Sequence, residues 1–333
     1  MKDSKYIKRC IELAKKGLGN AAPNPSVGCV IVCNNKIIGE GYTGVYGGNH
    51  AEVNAINSVA NKNDLLKSTL YVTLEPCCHH GKTPPCTDLI IRYKIPKVVI
   101  GCRDTTEKVS GKGIEALKSA GCEVVVGVNE QNCLAHHRRF FSFHNKKRPY
   151  IILKWAETKD KFIAPLKKQH KSPVWISCAE SRQLVHQWRS EEHAILVGGN
   201  TVVEDNPNLT TRAVSGRNPI RIVIDTKDNL PKSSNVFNDE AKTIVLSSKH
   251  FNSQKHIAQQ ICNHLYKLNI LSVIVEGGQK TLQYFIDENL WDEMRIFKGN
   301  IEFTDGKKGP SHSVEHHIKK SIGIDDLYLF KNA

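Results

Sequence analysis

The sequence predicts an α/β protein built as two layered domains. Three observations carry this. The chain has 333 residues, about twice the roughly 150 residues of an ordinary domain. Short runs of β-branched residues alternate with segments of helical periodicity in both halves. A basic stretch, HNKKRP at 144–149, interrupts that alternation near the middle. The domains are therefore placed at 1–147 and 148–333.

Taken in order, MKDSKYIKRCIELAKKG has scattered charges and no apolar core of the kind a secretory signal needs. It is read as a helix with Ile7, Cys10 or Ile11, Ala14 and Leu18 on one face. VGCVIVC and KIIGEGY form a hairpin that turns at Asn34 and Asn35. HAEVNAINSVA is a helix, TLYVTLEP a strand, TDLIIRYK a helix and KVVIGC a strand; GIEALKSAG is a helix ending at a glycine, CEVVVGV a strand, and a polar and aromatic helix surrounds 135–144. Beyond the boundary, YIILKWAET, AILVGG, PIRIVID, KTIVLSS and LSVIVEGG read as strands, and ESRQLVHQWRS and QKTLQYFIDEN as helices. Helices covering a sheet define an α/β layered architecture in each half.

Composition narrows the function. Hydrophobic residues make up 40% and charged residues 24%, ordinary for a globular protein, and no uninterrupted apolar stretch reaches the ~18 residues of a membrane span. No membrane partner is expected. Eleven cysteines, an odd number in a long chain, argue for reduced thiols in the cytoplasm and against a disulfide framework. The formal net charge of +14 fits a basic solvated surface with no specific partner as well as it fits anionic partners, of which phosphorylated small molecules and nucleic acid are the candidates.

The clustered cysteines lie in TLEPCCHHGKTPPC, at 73–86. A structural zinc held by this loop alone is disfavoured, because Cys77 and Cys78 are neighbours and point to opposite sides of an extended chain. The alternative draws on His50-Ala51-Glu52 upstream: His50, Cys77 and Cys86 hold a zinc ion, leaving its fourth position for water, and Glu52 moves protons. Residues two apart in mid-helix face nearly opposite ways. His50 and Glu52 therefore converge only if the helix begins at His50, which Gly47-Gly48 permits. In the second half, VIVEGGQKTLQYFI runs from a strand through Gly277-Gly278 into a helix, where backbone N–H groups can approach a phosphate.

The H-x-E and Pro-Cys segments resemble the zinc deaminase signature. Nucleic-acid deaminases space their cysteines by two residues, whereas here CHHGKTPP intervenes. That longer loop, with Pro23-Asn24-Pro25-Ser26-Val27-Gly28 and Glu75-Pro76-Cys77, resembles the bifunctional deaminase/reductase of riboflavin biosynthesis. LKWAETKD, WIS-x-x-x-SR, VHQWRS, AILVGGNTVVEDNPNLTTR and VEGG extend the likeness in the same order over nearly the whole chain.

The resemblance implies a cytidine-deaminase-like αβα layered domain followed by a dihydrofolate-reductase-like α/β domain, with Zn2+ and NADPH as cofactors. The implied substrate is a phosphorylated diaminopyrimidinone ribotide, which loses its 2-amino group as ammonia and then has its ribosyl chain reduced to ribityl. In the first domain Asn24, His79, Lys82 and Asp104 would contact substrate. In the second, Lys154 and Glu276 would sit at the sugar and Arg189, Leu209 and Arg212 at the substrate, while Ala156, Trp175, Thr201, Asp205, Thr226 and Gly278 line the cofactor. Family members commonly associate, which implies a homo-oligomer.

The pattern is broken at four positions. Thr43 and Thr106 stand where the family usually has His and Asn, Lys161 follows Asp160 where a glycine is usual, and Pro173 replaces a serine. A reshaped cofactor loop over 158–173 is one expected result. Two other readings compete: a nucleic-acid deaminase with an accessory domain, and a non-catalytic zinc-stabilised binding module. The cysteine spacing and VEGG weigh against the first, Glu52 against the second.

Overall fold

The computed structural model describes residues 2–80, 84–106, 109–167, 172–252 and 255–332. They divide into two compact units, Met1–Lys146 and Lys147–Ala333.

In the first unit, α1 (Lys2–Lys15) buries Tyr6, Ile7, Cys10, Leu13 and Ala14. That stripe takes Cys10 and not Ile11, and it stops short of Leu18, which lies beyond the end of the helix. The hairpin of β1 (Gly28–Cys33) and β2 (Lys36–Tyr42) turns at Asn34 and Asn35, both at positive φ, the geometry that matches the twist of paired strands. Then follow α2 (Ala51–Ser58), β3 (Thr69–Leu74), α3 (Cys86–Arg92), β4 (Lys97–Cys102), α4 (Lys112–Ser119), β5 (Glu123–Val126) and α5 (Glu130–Lys146). The sheet order is β2-β1-β3-β4-β5. β1 runs antiparallel to both neighbours, while β3, β4 and β5 are parallel. All six residues of β1 are buried, which is why this central strand reads as a continuous apolar run.

These directions bring the start of β1 and the ends of β2, β3 and β4 to one end of the sheet. The loops that carry Asn24, His50, Cys77 and Asp104 leave from that end. Gly41 allows β2 to press on α2, since a Cβ there would overlap the Ala51 carbonyl.

The second unit begins with β6 (Tyr150–Glu157), β7 (Phe162–Ala164), α6 (Ala179–Glu191), β8 (Ala194–Gly198), α7 (Gly199–Asp205), β9 (Ile220–Asp225) and β10 (Thr243–Ser247). It continues through α8 (Ile257–Lys267), β11 (Ser272–Val275), α9 (Gln279–Asp287), β12 (Glu293–Lys298), β13 (Lys307–Lys308), β14 (Ile318–Ile322) and β15 (Asp325–Lys331). Eight strands form one sheet, β10-β9-β8-β11-β6-β12-β15-β14. The first six are parallel, and β15 and β14 are added antiparallel.

The chain winds outward through β8, β9 and β10, then returns to insert β11 between β8 and β6. Such a reversal leaves a crevice at the carboxyl ends of the strands, the usual ligand position in open α/β sheets. No described helix is long and apolar enough to cross a membrane.

Candidate active sites

The first site is assembled by three chain segments. His50 is the N-cap residue of α2, with φ −72° and ψ 164°, so it stands outside helical geometry. That lets it converge with Glu52, as the H-x-E spacing requires. Cys86 is the first residue of α3, and its N–H donates to Cys77 Sγ at 3.4 Å. The Thr87 N–H donates to the Cys77 carbonyl at 3.2 Å. The turn from β3 is thereby sewn to the helix.

His50 Nδ1 lies 3.3 Å from Cys86 Sγ and 3.6 Å from Cys77 Sγ, and all three ligand atoms fall within 4.8 Å of one another. A tetrahedral zinc with ordinary Zn–N and Zn–S bonds would separate such atoms by about 3.6–3.8 Å. The donor set therefore fits the ion. No other group of three metal-ligating side chains this close occurs among the described residues.

The electrostatics follow from crowding. Its hydrogen bond with Cys86, reinforced by His50, holds the Cys77 thiol down to about 4, while the same contact pushes Cys86 upward. Burial, with the Cys77 thiolate nearby, raises the Glu52 carboxyl to about 7. A carboxyl poised near neutral pH can both accept and return a proton.

Around this centre, Asn24 makes no side-chain hydrogen bond among the described residues, although its loop is firmly held. His136 Nε2 donates to the Ser26 carbonyl at 2.8 Å, and Thr43 Oγ1 accepts the Val27 N–H at 2.9 Å. Thr43 is buried and braces the loop backbone. Thr106 closes a tight turn by donating its N–H to Asp104 Oδ1 at 2.7 Å. His79 is exposed. Lys82 lies outside the described residues. His136 was missed in the sequence because its signal, one histidine on a long helix, has no spacing relation to the loop it holds.

The second site is a cavity of about 580 Å³ at the carboxyl ends of β6, β8, β9 and β11, within the size range of small-molecule and cofactor sites. Ala156, Trp175, Thr201, Asp205, Thr226 and Gly278 all lie on its wall, as do Lys154, Glu276 and Pro173. Gly278, at φ 66°, is the N-cap of α9 and leaves the first N–H groups of that helix without a side-chain cap. A bare helix start opening on the cavity suits a phosphate, and with the volume it fits a dinucleotide.

Arg189, Leu209 and Arg212 are not on that wall. Arg189 Nε and Nη2 donate to the two Glu276 oxygens at 3.0 and 2.7 Å, and Nη1 donates to the Thr210 carbonyl at 3.2 Å. Lys154 Nζ lies 3.7 Å from Glu276. Burial opposes ionisation of Glu276, yet Arg189 and Lys154 draw its carboxyl down to about 2. Burial lowers Lys154, with Glu276 opposing.

Leu209 is buried with φ 54°, a left-handed conformation rare for a bulky side chain and common at functional sites. The Arg212 N–H donates to His186 Nδ1 at 3.2 Å, a contact that the sequence did not announce.

Lys161 keeps the left-handed backbone, φ 67°, that the missing glycine would supply. Its turn is closed by the Lys161 N–H to the Thr158 carbonyl at 3.0 Å, and the Asp160 carboxylate accepts the Thr304 N–H at 2.8 Å. Over the described part of 158–173 the loop holds this left-handed residue in a hydrogen-bonded turn; 168–171 lie outside the described residues.

Comparison with known proteins agrees with both halves. Residues 1–102 match the model of the cytidine and deoxycytidylate deaminase zinc-binding region, and residues 149–301 that of the RibD C-terminal domain. The chain is 42% identical to riboflavin biosynthesis protein RibD of Aquifex aeolicus over 311 residues, covering 89% of this chain and 86% of that protein. It is 34% identical to the Chlamydia pneumoniae protein of the same name, covering 91% and 86%. Among solved structures it is similar to a diaminohydroxyphosphoribosylaminopyrimidine deaminase/5-amino-6-(5-phosphoribosylamino)uracil reductase from Thermotoga maritima. There the TM-score is 0.90 at 38% identity, covering 100% of this chain and 99% of the other. Sequence and fold agree, and the chain belongs to the RibD family of riboflavin biosynthesis proteins.

Proposed function

We propose that this chain carries out two successive steps of riboflavin biosynthesis. The first is zinc-dependent hydrolytic deamination of 2,5-diamino-6-ribosylamino-4(3H)-pyrimidinone 5′-phosphate, assigned to 1–147. The second is NADPH-dependent reduction of the ribosyl chain to ribityl, assigned to 148–333. The observation that carries the reading is the pairing of a three-ligand centre and its buried Glu52 with a strand-end cavity in one chain of this family.

In the first step His50, Cys77 and Cys86 would hold the ion. Bound zinc brings the pKa of a water close to 7, which makes a nucleophile available at neutral pH. Glu52, a buried carboxyl raised toward neutrality and not itself a ligand, would carry the proton between the nucleophile and the departing amine. Asn24, His79, Lys82 and Asp104 contact the ribotide. Asn24 suits this role because its amide has no other partner among the described residues.

In the second step NADPH, when bound in the cavity, would supply the hydride that reduces the sugar. Lys154 presents its ammonium at the cavity wall, where burial loosens its proton and allows donation to the sugar oxygen. Glu276 stays ionised and fixes both Lys154 and Arg189. Ala156, Trp175, Thr201, Asp205, Thr226 and Gly278 line the cofactor. Arg189, Leu209 and Arg212 face the substrate; the guanidinium N–H groups of Arg189 not used by Glu276 and Thr210 remain for an oxyanion.

An odd count of eleven cysteines in a long chain supports a reducing cytoplasmic setting for this activity, and self-association comes with the family reading. The experiment is incubation with the ribotide, with and without NADPH, followed by mass analysis. Loss of ammonia alone, then loss of ammonia with gain of two hydrogens, is the expected pair. A chain that never consumes NADPH ends the reductase half of the reading.

A further inference from the structure

Glu75, in the TLEPCC segment, has been given no role, yet it is 4% exposed and accepts four backbone N–H groups. Its Oε2 accepts from Asp104 at 3.2 Å and from Gly111 at 3.1 Å. Its Oε1 accepts from Gly113 at 3.1 Å and from Ile114 at 3.2 Å. Gly111 is the N-cap of α4 in a left-handed conformation and supplies no side-chain cap. Glu75 therefore caps that helix from another strand, using the first-turn donors that a local cap would normally satisfy. The same carboxylate grips the backbone of Asp104, while its own N–H is fixed to the Cys102 carbonyl at 3.0 Å. Two residues on from Glu75 is the ligand Cys77.

We infer that Glu75 is a positioning residue for the deamination: it sets the place of Asp104 relative to the metal ligands by clamping the backbone of Asp104, Gly111 and the start of α4 to the end of β3. The inference rests on the reading of Asp104 as a substrate contact. Glutamine at this position has one acceptor oxygen and an NH₂ group, and the NH₂ would face two backbone donors. The α4 pair also carries the favourable end of the helix dipole, so the oxygen stays with Gly113 and Ile114. Asp104 and Gly111 lose their acceptor.

The test is Glu75→Gln in the full chain, with zinc content, KM and kcat for ammonia release, and NADPH oxidation on the already deaminated ribotide measured on one preparation. Zinc remains at one per chain, the reductase rate is unchanged, and KM for the ribotide rises about tenfold, the size of one charge-assisted contact. In an Asp104→Ala background the same substitution changes KM by less than about twofold, because the clamp acts through Asp104. A fully additive effect in the double variant overturns the inference. So does a kcat that falls in step with zinc loss while KM stays put. If Asp104→Ala alone leaves KM unmoved, the assignment of Asp104 fails and the inference fails with it. Should Glu75→Gln not fold, Gly113→Ala opens the clamp from its other side, since a Cβ there overlaps the Pro76 carbonyl. Raised KM with zinc retained then supports the inference, and an unmoved KM overturns it.

Discussion

At the metal centre a helix cap, a strand end and the first residue of a second helix place ligand atoms 3.3 and 3.6 Å apart. At the cavity, Lys154, Ala156, Thr226 and Gly278 are collected from the ends of several parallel strands, around the buried Glu276 carboxylate, which pairs with Arg189 and Lys154. The first site depends on a few bonds whose lengths an ion dictates. The second depends on shape, and on an electrostatic pair that neither partner can leave without stranding the other. The two regions should accordingly fail in different ways: the first by losing chemistry while keeping its fold, the second by losing fold and chemistry together.

The largest expected effect tests the first half of that contrast. Glu52→Gln should retain zinc and lower ammonia release by about 10²–10⁴-fold, the usual share of a positioned acid/base, with NADPH oxidation on the deaminated ribotide unchanged. Near-normal ammonia release from a zinc-loaded variant would remove Glu52 from the mechanism.

Arg189→Met tests the other half. It leaves the Glu276 carboxylate buried without its bidentate partner, and breaking such a pair costs about 3–5 kcal/mol. The second unit should unfold at lower urea and reductase turnover should collapse, while zinc and ammonia release hold. An unshifted urea transition would show that the pair is not the keystone of that site.

Acid should weaken both regions in the same way, which makes it the place where the contrast ought to vanish. Burial lowers His136 to about 4 in the first unit and does the same to His193 in the second. These folded values lie below the ordinary histidine value near 6.5, so the unfolded chain binds more protons in between. Stability is therefore full above about pH 6.5 and falls as pH drops toward 4. At pH 5 His136 alone accounts for a loss of about 1–2 kcal/mol. His136→Gln, which keeps an N–H for the Ser26 carbonyl, should show a smaller drop in urea midpoint between pH 7 and 5 than the unmodified chain; an equal drop would count against it.

The smallest effect concerns Lys161. Lys161→Gly relieves a left-handed non-glycine residue and should stabilise the protein by about 0.5–1 kcal/mol, the relief being partly offset by a more flexible unfolded chain. Reductase rate should not change, since the turn is already formed. A rise in rate would show that the departure does impair the cofactor loop.

Much of the first site was legible because metal chemistry restricts residue type and spacing: His50, Cys77 and Cys86 could be named from the sequence, as could the requirement that α2 begin at His50. Glu75 and His136 were not, because their partners are backbone groups, which carry no residue signature. In the second unit the β11 turn into α9 was clear from Gly277-Gly278. Helix α8 was missed although Ile257, Ala258, Ile261, Cys262 and Leu265 have helical spacing and are all buried; it follows polar residues and begins after a left-handed His256, with no ordinary capping residue. β14 was missed because IKKSI is exposed along its length apart from a half-buried last residue. It is held by pairing with β15, and no apolar face records that contact.

Since the groups assigned to the first reaction gather at one end of the five-stranded sheet, the other end is available for attachment. Gly121 turns the chain there between α4 and β5, at φ 84° and with open space where a side chain would begin. A tethering sequence inserted at this turn would attach the chain at the end of that sheet opposite its metal ligands, leaving the loops that carry them untouched by the linkage.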